Sequence, residues 1–511
     1  MGLIDIFYDI RWHLTLAAAV AYGWVKIQAY YRLRAFKGPF STGWLELWHI
    51  RALLSLDSHL RYKEACDKYG PIVRVGPNDL MTSSLDLLTH MSSVRSEYTR
   101  TPWYYIAGRH QHGKDNLFSE INEERHKRRR QQMAPGYSGK ENPWLEVSID
   151  THVRELIHLI RTKYLSTETL AKPVDMAKKL QYLTLDVISE ISFGEPFGDL
   201  RNDADVNGYI ESTEAAFGIA APAVSLGLVQ VLHFVTMVWG LVQPEVYQNG
   251  FGWMIANARA LIKKRLNEGV EKHTDMLASF VRHGLNEEEL VTESTLQIVA
   301  GSDTTVTSIR GIILYLMSHP RVYAKLQAEV DAAVRDGSAP PSPASISDAA
   351  ARKLPYLQAV IKEGIRIHPP VTDEVPKKVP AGGDTVVVEG ESFFLPGGTN
   401  VAYAVWALHR SKDLFGEDAE LFRPERWLVE KDEEKLSRMN RAHDIMFGYG
   451  KYQCLGRPIA IMEIGKTIFE LLRNFNLCLA NPEKPWVDEN YIGIFMQRHL
   501  WVLVTERHDS V

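Results

Sequence analysis

Residues 447–460 read FGYGKYQCLGRPIA, and they place one cysteine, Cys454, among three glycines, Gly448, Gly450 and Gly456. Glycine permits tight turns and lets the backbone come close to a flat ligand. Pro458 suits the first turn of a helix, and after it Ile461, Ile464, Ile468, Leu471 and Leu472 recur on one face. Cys454 is therefore expected in a glycine loop just ahead of a helix N-terminus, where the helix dipole and the loop N–H groups favour a thiolate. A lone cysteine is ordinarily a small buried hydrophobe. Cys66 and Cys478 fit that description, and the glycine spacing sets Cys454 apart from them.

The loop lies near the end of a 511-residue chain, long enough for a large buried core. Composition is ordinary for a folded protein: 45% hydrophobic, 24% charged and 10% aromatic. A formal net charge of −5 argues against a general polyanion binder, so no nucleic-acid partner is expected. The three cysteines are far apart in sequence, which argues against a disulfide framework and against cysteine-rich zinc or iron–sulfur sites. No G-x-G-x-x-G follows a strand, so the chain has no dinucleotide or flavin fingerprint of its own.

Before the loop, the hydropathy pattern divides the chain. From Trp12 to Val25 no residue carries a full charge, with Arg11 before and Lys26 after. That run is short of the roughly 20 residues that span a bilayer. Tyr30, Tyr31, Arg32, Arg34 and Lys37 behind it suit a headgroup interface. Residues 1–37 are read as an N-terminal membrane anchor helix with a basic linker, a surface helix being the alternative, and residues 38–511 as a single domain. Tyr62 to Tyr69 reads as helix and Ile72 to Val75 as strand; about 120 to 370 is mainly helical; short strands follow from 371 to 405 and again from 491 to 506. The fold class is thus mainly α with small β-sheets (α+β). Asp336 to Ser347 reads as a flexible surface loop. Between Glu214 and Glu245 there is no Asp, Glu, Lys or Arg, but Gly218, Pro222, Gly227 and Gly240 interrupt the stretch. Two helices joined by an apolar loop at a membrane surface are expected there, with a second span as the alternative.

The cysteine loop resembles that of the cytochrome P-450 family, whose form F-G/S-x-G-x-R/H-x-C-x-G is met by Phe447, Gly448, Gly450, Cys454 and Gly456. The resemblance implies the cytochrome P-450 fold, haem b (heme b, iron-protoporphyrin IX) as cofactor, and Cys454 as the sulfur ligand of its iron, a ligand that favours O–O cleavage. One position departs. The basic residue two before the cysteine, which in the family usually pairs with a haem propionate, is Tyr452 here. A tyrosine hydroxyl can donate a hydrogen bond but carries no charge, and Lys451 beside it is available to compensate.

Four further motifs fall in the family's order. Glu363 and Arg366, three apart on a helix closed by Pro369-Pro370, resemble the E-x-x-R helix, and Arg426 in Pro424-Glu425-Arg426-Trp427 resembles its third partner. The implied role is a buried network that holds the cysteine loop. Ala300, Gly301, Asp303, Thr304 and Thr305 resemble the family's oxygen-binding helix. There Gly301 would leave room for dioxygen, Thr304 would hydrogen-bond it, and Asp303 would relay protons; back-bonding to its own helix is the ordinary use of such a threonine. His126 and Arg130, four apart, resemble the pair that binds the haem propionates, and the remaining basic residues from Lys127, with Arg457, suggest a docking face for an acidic reductase. Lys377 stands where the family often has another propionate-binding residue.

The resemblance also places substrate contacts at Tyr104 and Tyr105, at Val299 and Ala300, at Val371, Thr372 and Asp373, and at Ile494 and Phe495. Most are aromatic or aliphatic, so a lipophilic small molecule is expected. The implied reaction is a monooxygenation using O2, with electrons from NADPH through a separate NADPH-cytochrome P-450 reductase, at the endoplasmic reticulum membrane with the catalytic domain on the cytosolic side. The stretches KYGPIVRVGPNDL, DNLFSE and GYSGKEN are similar to fungal members of the pisatin demethylase-like and secondary-metabolite type. A haem-thiolate peroxide isomerase or dehydratase, and a non-enzymatic membrane haem protein, are the alternatives. Asp303-Thr304 speaks against the first, because members of that kind tend to lack the pair.

Overall fold

A computed structural model describes residues 3–111, 113–229 and 250–507. At its centre is a helix of 32 residues, Glu287–Ser318. Its start is set locally. Asn286 accepts from the N–H of Glu289, Glu289 returns the bond to the Asn286 N–H, and Glu287, Glu288 and Glu289 complement the helix dipole. His319 ends it, and Pro320 opens the next helix, Pro320–Arg335. Buried Ile298, Val306, Ile309 and Ile312 set this helix into the main apolar core beside Met176–Phe193, Leu145–Lys163, Pro355–Ile367 and Arg457–Asn474. Gly301 makes a close crossing. A Cβ there would meet Cδ1 of Ile188 at 2.8 Å.

The strands form small sheets to one side of this helical body, as expected from the sequence. A five-stranded sheet runs in the order Ile72–Arg74, Asp79–Thr82, Asn400–Ala404, Asp373–Lys378, Thr99–Arg100. Asp79–Thr82 pairs in parallel with Asn400–Ala404, with Leu80 opposite Val401. The register of Asp373–Lys378 against Asn400–Ala404 shifts between Glu374 and Lys377. Glu374 and Val375 have φ of +69° and +48° there, unusual for residues with a Cβ. A three-stranded sheet joins Pro173–Asp175, Trp501–Glu506 and Phe475–Leu479, and two hairpins complete the set.

Two expectations need revision, and a third lies largely outside the described residues. The N-terminal segment is a helix, Leu3–Arg32, but among the described residues no helix is long and apolar enough to cross a membrane. Asp5, Asp9, Arg11 and Lys26 interrupt it. The end of the expected linker is packed into the body: Leu33 and Phe36 are buried, and Arg74 donates to the carbonyl oxygens of Ala29 and Tyr30 at 3.0 and 3.1 Å. Second, the loop from Asp336 to Ser347 is pinned. Ala339 and Ile346 are buried, Arg473 donates to the Pro340 carbonyl at 2.7 Å, and the buried Lys466 donates to that of Ile346. Third, of the uncharged stretch after Glu214, the described part is the end of a helix, Tyr209–Ser225, which carries Pro222. Residues 230–249, and with them the rest of that expectation, lie outside the described residues.

Candidate active site

The cysteine loop is built by two left-handed glycines and one short backbone bond. Gly448 and Gly450 have φ of +72° and +58°, and a Cβ on Gly450 would meet the Ser92 carbonyl oxygen at 2.3 Å. The Cys454 N–H donates to the Phe447 carbonyl at 2.6 Å and closes the turn. Gly456 is different. It is the N-cap of Arg457–Asn474 with an ordinary φ of −78°, and a Cβ there would lie 3.8 Å from the Cys454 sulfur. All three cysteines are free thiols. Cys454 is an exposed residue of the loop, yet its thiol is desolvated, which raises its pKa. The backbone N–H groups of Gly456 and Arg457, and the charges of Arg130 and Arg457, pull in the other direction. A group with those donors at a helix N-terminus suits a soft metal that takes thiolate.

Beside the sulfur lies a cluster of cations with too few carboxylates. Helix Glu123–Tyr137 presents His126 and Arg130 on one face. Arg130 makes no hydrogen bond or ion pair among the described residues. Arg100 is buried, with its Nε unpartnered among the described residues; its Nη2 donates to Nε2 of His126 at 2.8 Å and its Nη1 to the carbonyl oxygens of Leu117 and Glu120. Lys377 is buried, and desolvation followed by the charge of Arg100 pushes its pKa well down. Burial and the same arginine push His126 down to about 2, so it is neutral and accepts from Arg100. Glu123 is the carboxylate in contact with the group. Buried Arg100 and Lys377 with half-buried Arg130, short of counter-anions, fit a flat ligand with two carboxylates beside Cys454, as haem b is, because desolvated cations require partners. Sequence reasoning found His126, Arg130 and Lys377. It missed Arg100, which stands in no motif and reaches the cluster only through the pairing of Thr99–Arg100 with Lys377 and Lys378.

On the opposite side, the central helix turns two faces to different surroundings. Ala300 is exposed and Thr304 half-buried one turn on, the Thr304 hydroxyl donating to the Ala300 carbonyl at 2.8 Å. Asp303 faces away from them. It accepts from Nε2 of Gln181 at 2.8 Å and from the Tyr209 hydroxyl at 3.4 Å, and Gln181 in turn accepts from Arg310 Nη2 at 3.0 Å. Burial raises the Asp303 carboxyl to about 6, against the hydrogen bond from Gln181 and the charge of Arg310. That value lets it exchange protons near neutrality. A polar pocket lined by Asp303, Tyr209, Glu214, Arg310, Ile494 and Phe495 opens beside it. Gly301 is a correction: its missing side chain admits Ile188 of a neighbouring helix and does not open the exposed face of Ala300 and Thr304.

The expected substrate residues scatter. Tyr104 is buried, donates to the Val375 carbonyl at 3.1 Å and packs under Arg100 and Lys377, so it belongs to the cation cluster. Tyr105 stacks with Arg109. Val299 packs against the core. Val371 bridges to Ile494. Thr372 and Asp373 turn inward, Thr372 accepting from Asn490 at 3.0 Å and Asp373 from Ser58 at 3.1 Å. Asp373 next to Glu374 is desolvated, which raises both carboxyls. This pair is a structural knot and does not reach the exposed face of Thr304. Phe495 stacks in a buried cluster with His59, His368 and Trp406.

The network beneath the loop is assembled as the motif implied. Glu363, Arg366 and Arg426 are buried, with Arg366 Nη2 and Arg426 Nε both donating to Glu363 Oε1, at 2.8 and 2.9 Å. Trp427 Nε1 donates to Oε2 at 2.9 Å. Burial would raise the Glu363 carboxyl, but the hydrogen bond and charge of Arg366 outweigh it and hold it below the ordinary range. His409, which no motif singled out, relays this network. Its ring contacts the Arg366 carbonyl at 3.1 Å and the Ala442 carbonyl at 2.9 Å, on helix Glu433–Asp444 leading into the cysteine loop.

Comparison with known proteins agrees with this geometry. The sequence model of the family described as cytochrome P-450 matches residues 39–500. Cytochrome P-450 monooxygenase ABA1 of Pyricularia oryzae is 38% identical over 486 residues, covering 94% of this chain and 93% of its own length. Cytochrome P-450 monooxygenase aba1 of Botryotinia fuckeliana is 36% identical over 480 residues (93% and 92%). Pisatin demethylase of Fusarium vanettenii is 28% identical over 469 residues (89% and 86%).

Proposed function

This chain belongs to the cytochrome P-450 family, and on that premise we propose that it inserts one oxygen atom from O2 into a lipophilic small molecule in fungal secondary metabolism. The observation that carries the reading is the exposed residue Cys454 at a helix N-terminus beside the buried cations Arg100 and Lys377 and the half-buried Arg130, a set short of carboxylates. Cys454 would hold the iron of haem b, and Arg100, Arg130 and Lys377 its carboxylates. When bound, haem ligated by thiolate supplies the oxygen chemistry. The chain's own residues supply position and protons. Thr304 offers a hydroxyl on the exposed face, and Asp303, linked to Gln181 and to the polar pocket, is the group that exchanges protons with solvent. Two electrons come from NADPH through a separate reductase. Exposed Lys127 and Arg128 face outward for such a partner, whereas Arg129 is withdrawn from that face by ion pairs of 2.7 Å to both Glu289 and Glu293. Replacing Thr304 by Ala is expected to uncouple the reaction: NADPH oxidation continues while product per NADPH falls about tenfold, below the about 10²–10⁴ of a sole proton-transfer group because other donors take over part of the role. Unchanged coupling in the purified, reconstituted enzyme rules out the proton role of Thr304.

We also infer membrane attachment through helix Leu3–Arg32, at the endoplasmic reticulum with the catalytic domain cytosolic. Supporting it, Trp12, Leu16 and Trp24 on this helix are 69%, 65% and 62% exposed, a contiguous apolar display of the kind that marks membrane contact. Deleting residues 1–32, which ends before the buried Leu33, is expected to move the protein from the membrane pellet to the supernatant with its haem retained. A truncated protein that still pellets with membranes counts against the helix as the attachment.

A further inference from the structure

Tyr452 stands two residues before Cys454, where a basic side chain would pair with a haem carboxylate, and its hydroxyl is already committed. It donates to Glu123 Oε1 at 2.7 Å and lies 3.3 Å from the Tyr98 carbonyl oxygen. A ligand carboxylate at that spot would face the Glu123 carboxylate directly, and like charges at contact repel. Lys451 does not fill the gap. Its ammonium donates to the carbonyl oxygens of Ser96 and Tyr98 at 3.0 and 3.2 Å and sits 3.5 Å from Glu123.

The ring of Tyr452 does something else. The ammonium of Lys377 lies 3.2 Å from its centroid, and the guanidinium carbon of Arg100 4.9 Å from it. A cation over an aromatic face is attracted by the ring quadrupole, more strongly when water is excluded. Lys377 makes no ion pair among the described residues; this face, that of Tyr104 at 4.9 Å and, from further off, the charge of Glu123 favour its ammonium form against desolvation and Arg100.

We propose that Tyr452 is a positioning residue for haem, its ring face setting the Lys377 ammonium to receive a haem carboxylate. The inference rests on the haem reading above. It gives position 452 an indirect part, orienting the strand residue Lys377 through its ring, with Arg100 as the second cation against the same ring. An arginine at position 452 would press a third cation onto those two.

The test measures haem transfer from the full-length holoenzyme to excess apomyoglobin, together with the ferric/ferrous midpoint potential. Lys377→Met is expected to speed haem loss about tenfold, as the loss of one charge-assisted hydrogen bond does, and to shift the potential to more negative values. Tyr452→Phe, which keeps the ring, is expected to stay within about twofold of the parent, while Tyr452→Leu loses haem several-fold faster. In the double variant Tyr452→Leu/Lys377→Met the loss is expected to be no faster than with Lys377→Met alone, because the ring acts through the lysine. Tyr452→Arg is expected to lose haem faster than the parent. Independent, additive effects of Tyr452→Leu and Lys377→Met overturn the proposal, as does a Tyr452→Leu variant with parental haem loss and potential. A parent protein that takes up no haem overturns the underlying reading instead.

Discussion

Replacing Cys454 by Ser is expected to abolish the absorption band of the reduced carbon-monoxide complex that is typical of thiolate-ligated haem, and to cut turnover by at least about a thousandfold, or roughly 4 kcal/mol of barrier. The physical reason is the donor. Serine is nearly the same size, so the loop closed by the Cys454 N–H and the Phe447 carbonyl keeps its shape. A hydroxyl, however, is not deprotonated by the N–H groups of Gly456 and Arg457 and the charges of Arg130 and Arg457, which work on the thiol here. Spectroscopy and single-turnover kinetics on protein of equal haem content read the two effects separately. Survival of the band in the serine variant would mean that another side chain is the ligand, and the active-site assignment would fall with it.

Replacing Glu363 by Ala is expected to cost about 3–5 kcal/mol, the usual price of breaking a buried ion pair from one side. That is a large share of the roughly 5–15 kcal/mol that holds a typical domain folded. Two fully buried guanidiniums lose their carboxylate at once, and the indole N–H of Trp427 and the backbone N–H of Arg423 lose their acceptor. The remaining bonds of Arg366 go to the carbonyl oxygens of His409, Ala419 and Leu421, which satisfy hydrogen bonds without balancing charge, whereas Arg426 keeps the Asp418 carboxylate at 3.1 Å. The damage is expected to reach the cysteine loop through His409 and helix Glu433–Asp444. Urea unfolding with parallel haem-content measurement checks this. A variant with the parental midpoint and full haem would show that the network is dispensable.

Much of the site was readable from local pattern. Glycines around a cysteine, a proline just inside a helix, and acid–base pairs three or four apart on a helix each have physical meaning within one turn of chain, and the structure brings Glu363 to Arg366 and His126 to the face of Arg130. Gly301 shows the limit. The sequence marks a position that excludes a side chain, but whether the space belongs to a ligand or to Ile188 depends on a helix more than a hundred residues away. Asp373 is similar. A carboxylate beside a predicted turn has no visible partner until Ser58, itself bonded to Asn490, arrives from a distant element.

Sequence alone thus determined the mainly helical class, the one cysteine set apart by its glycines and the Glu363–Arg366 pair, because each rests on periodicity or on short-range spacing that the backbone converts directly into geometry; Arg426 joined that pair through the family resemblance. Only the tertiary structure decided which cations gather over that sulfur. Arg100, Lys377 and Tyr452 meet through sheet pairing and burial, and the energy of charges in a low-dielectric interior depends on neighbours in space, whatever their separation along the chain.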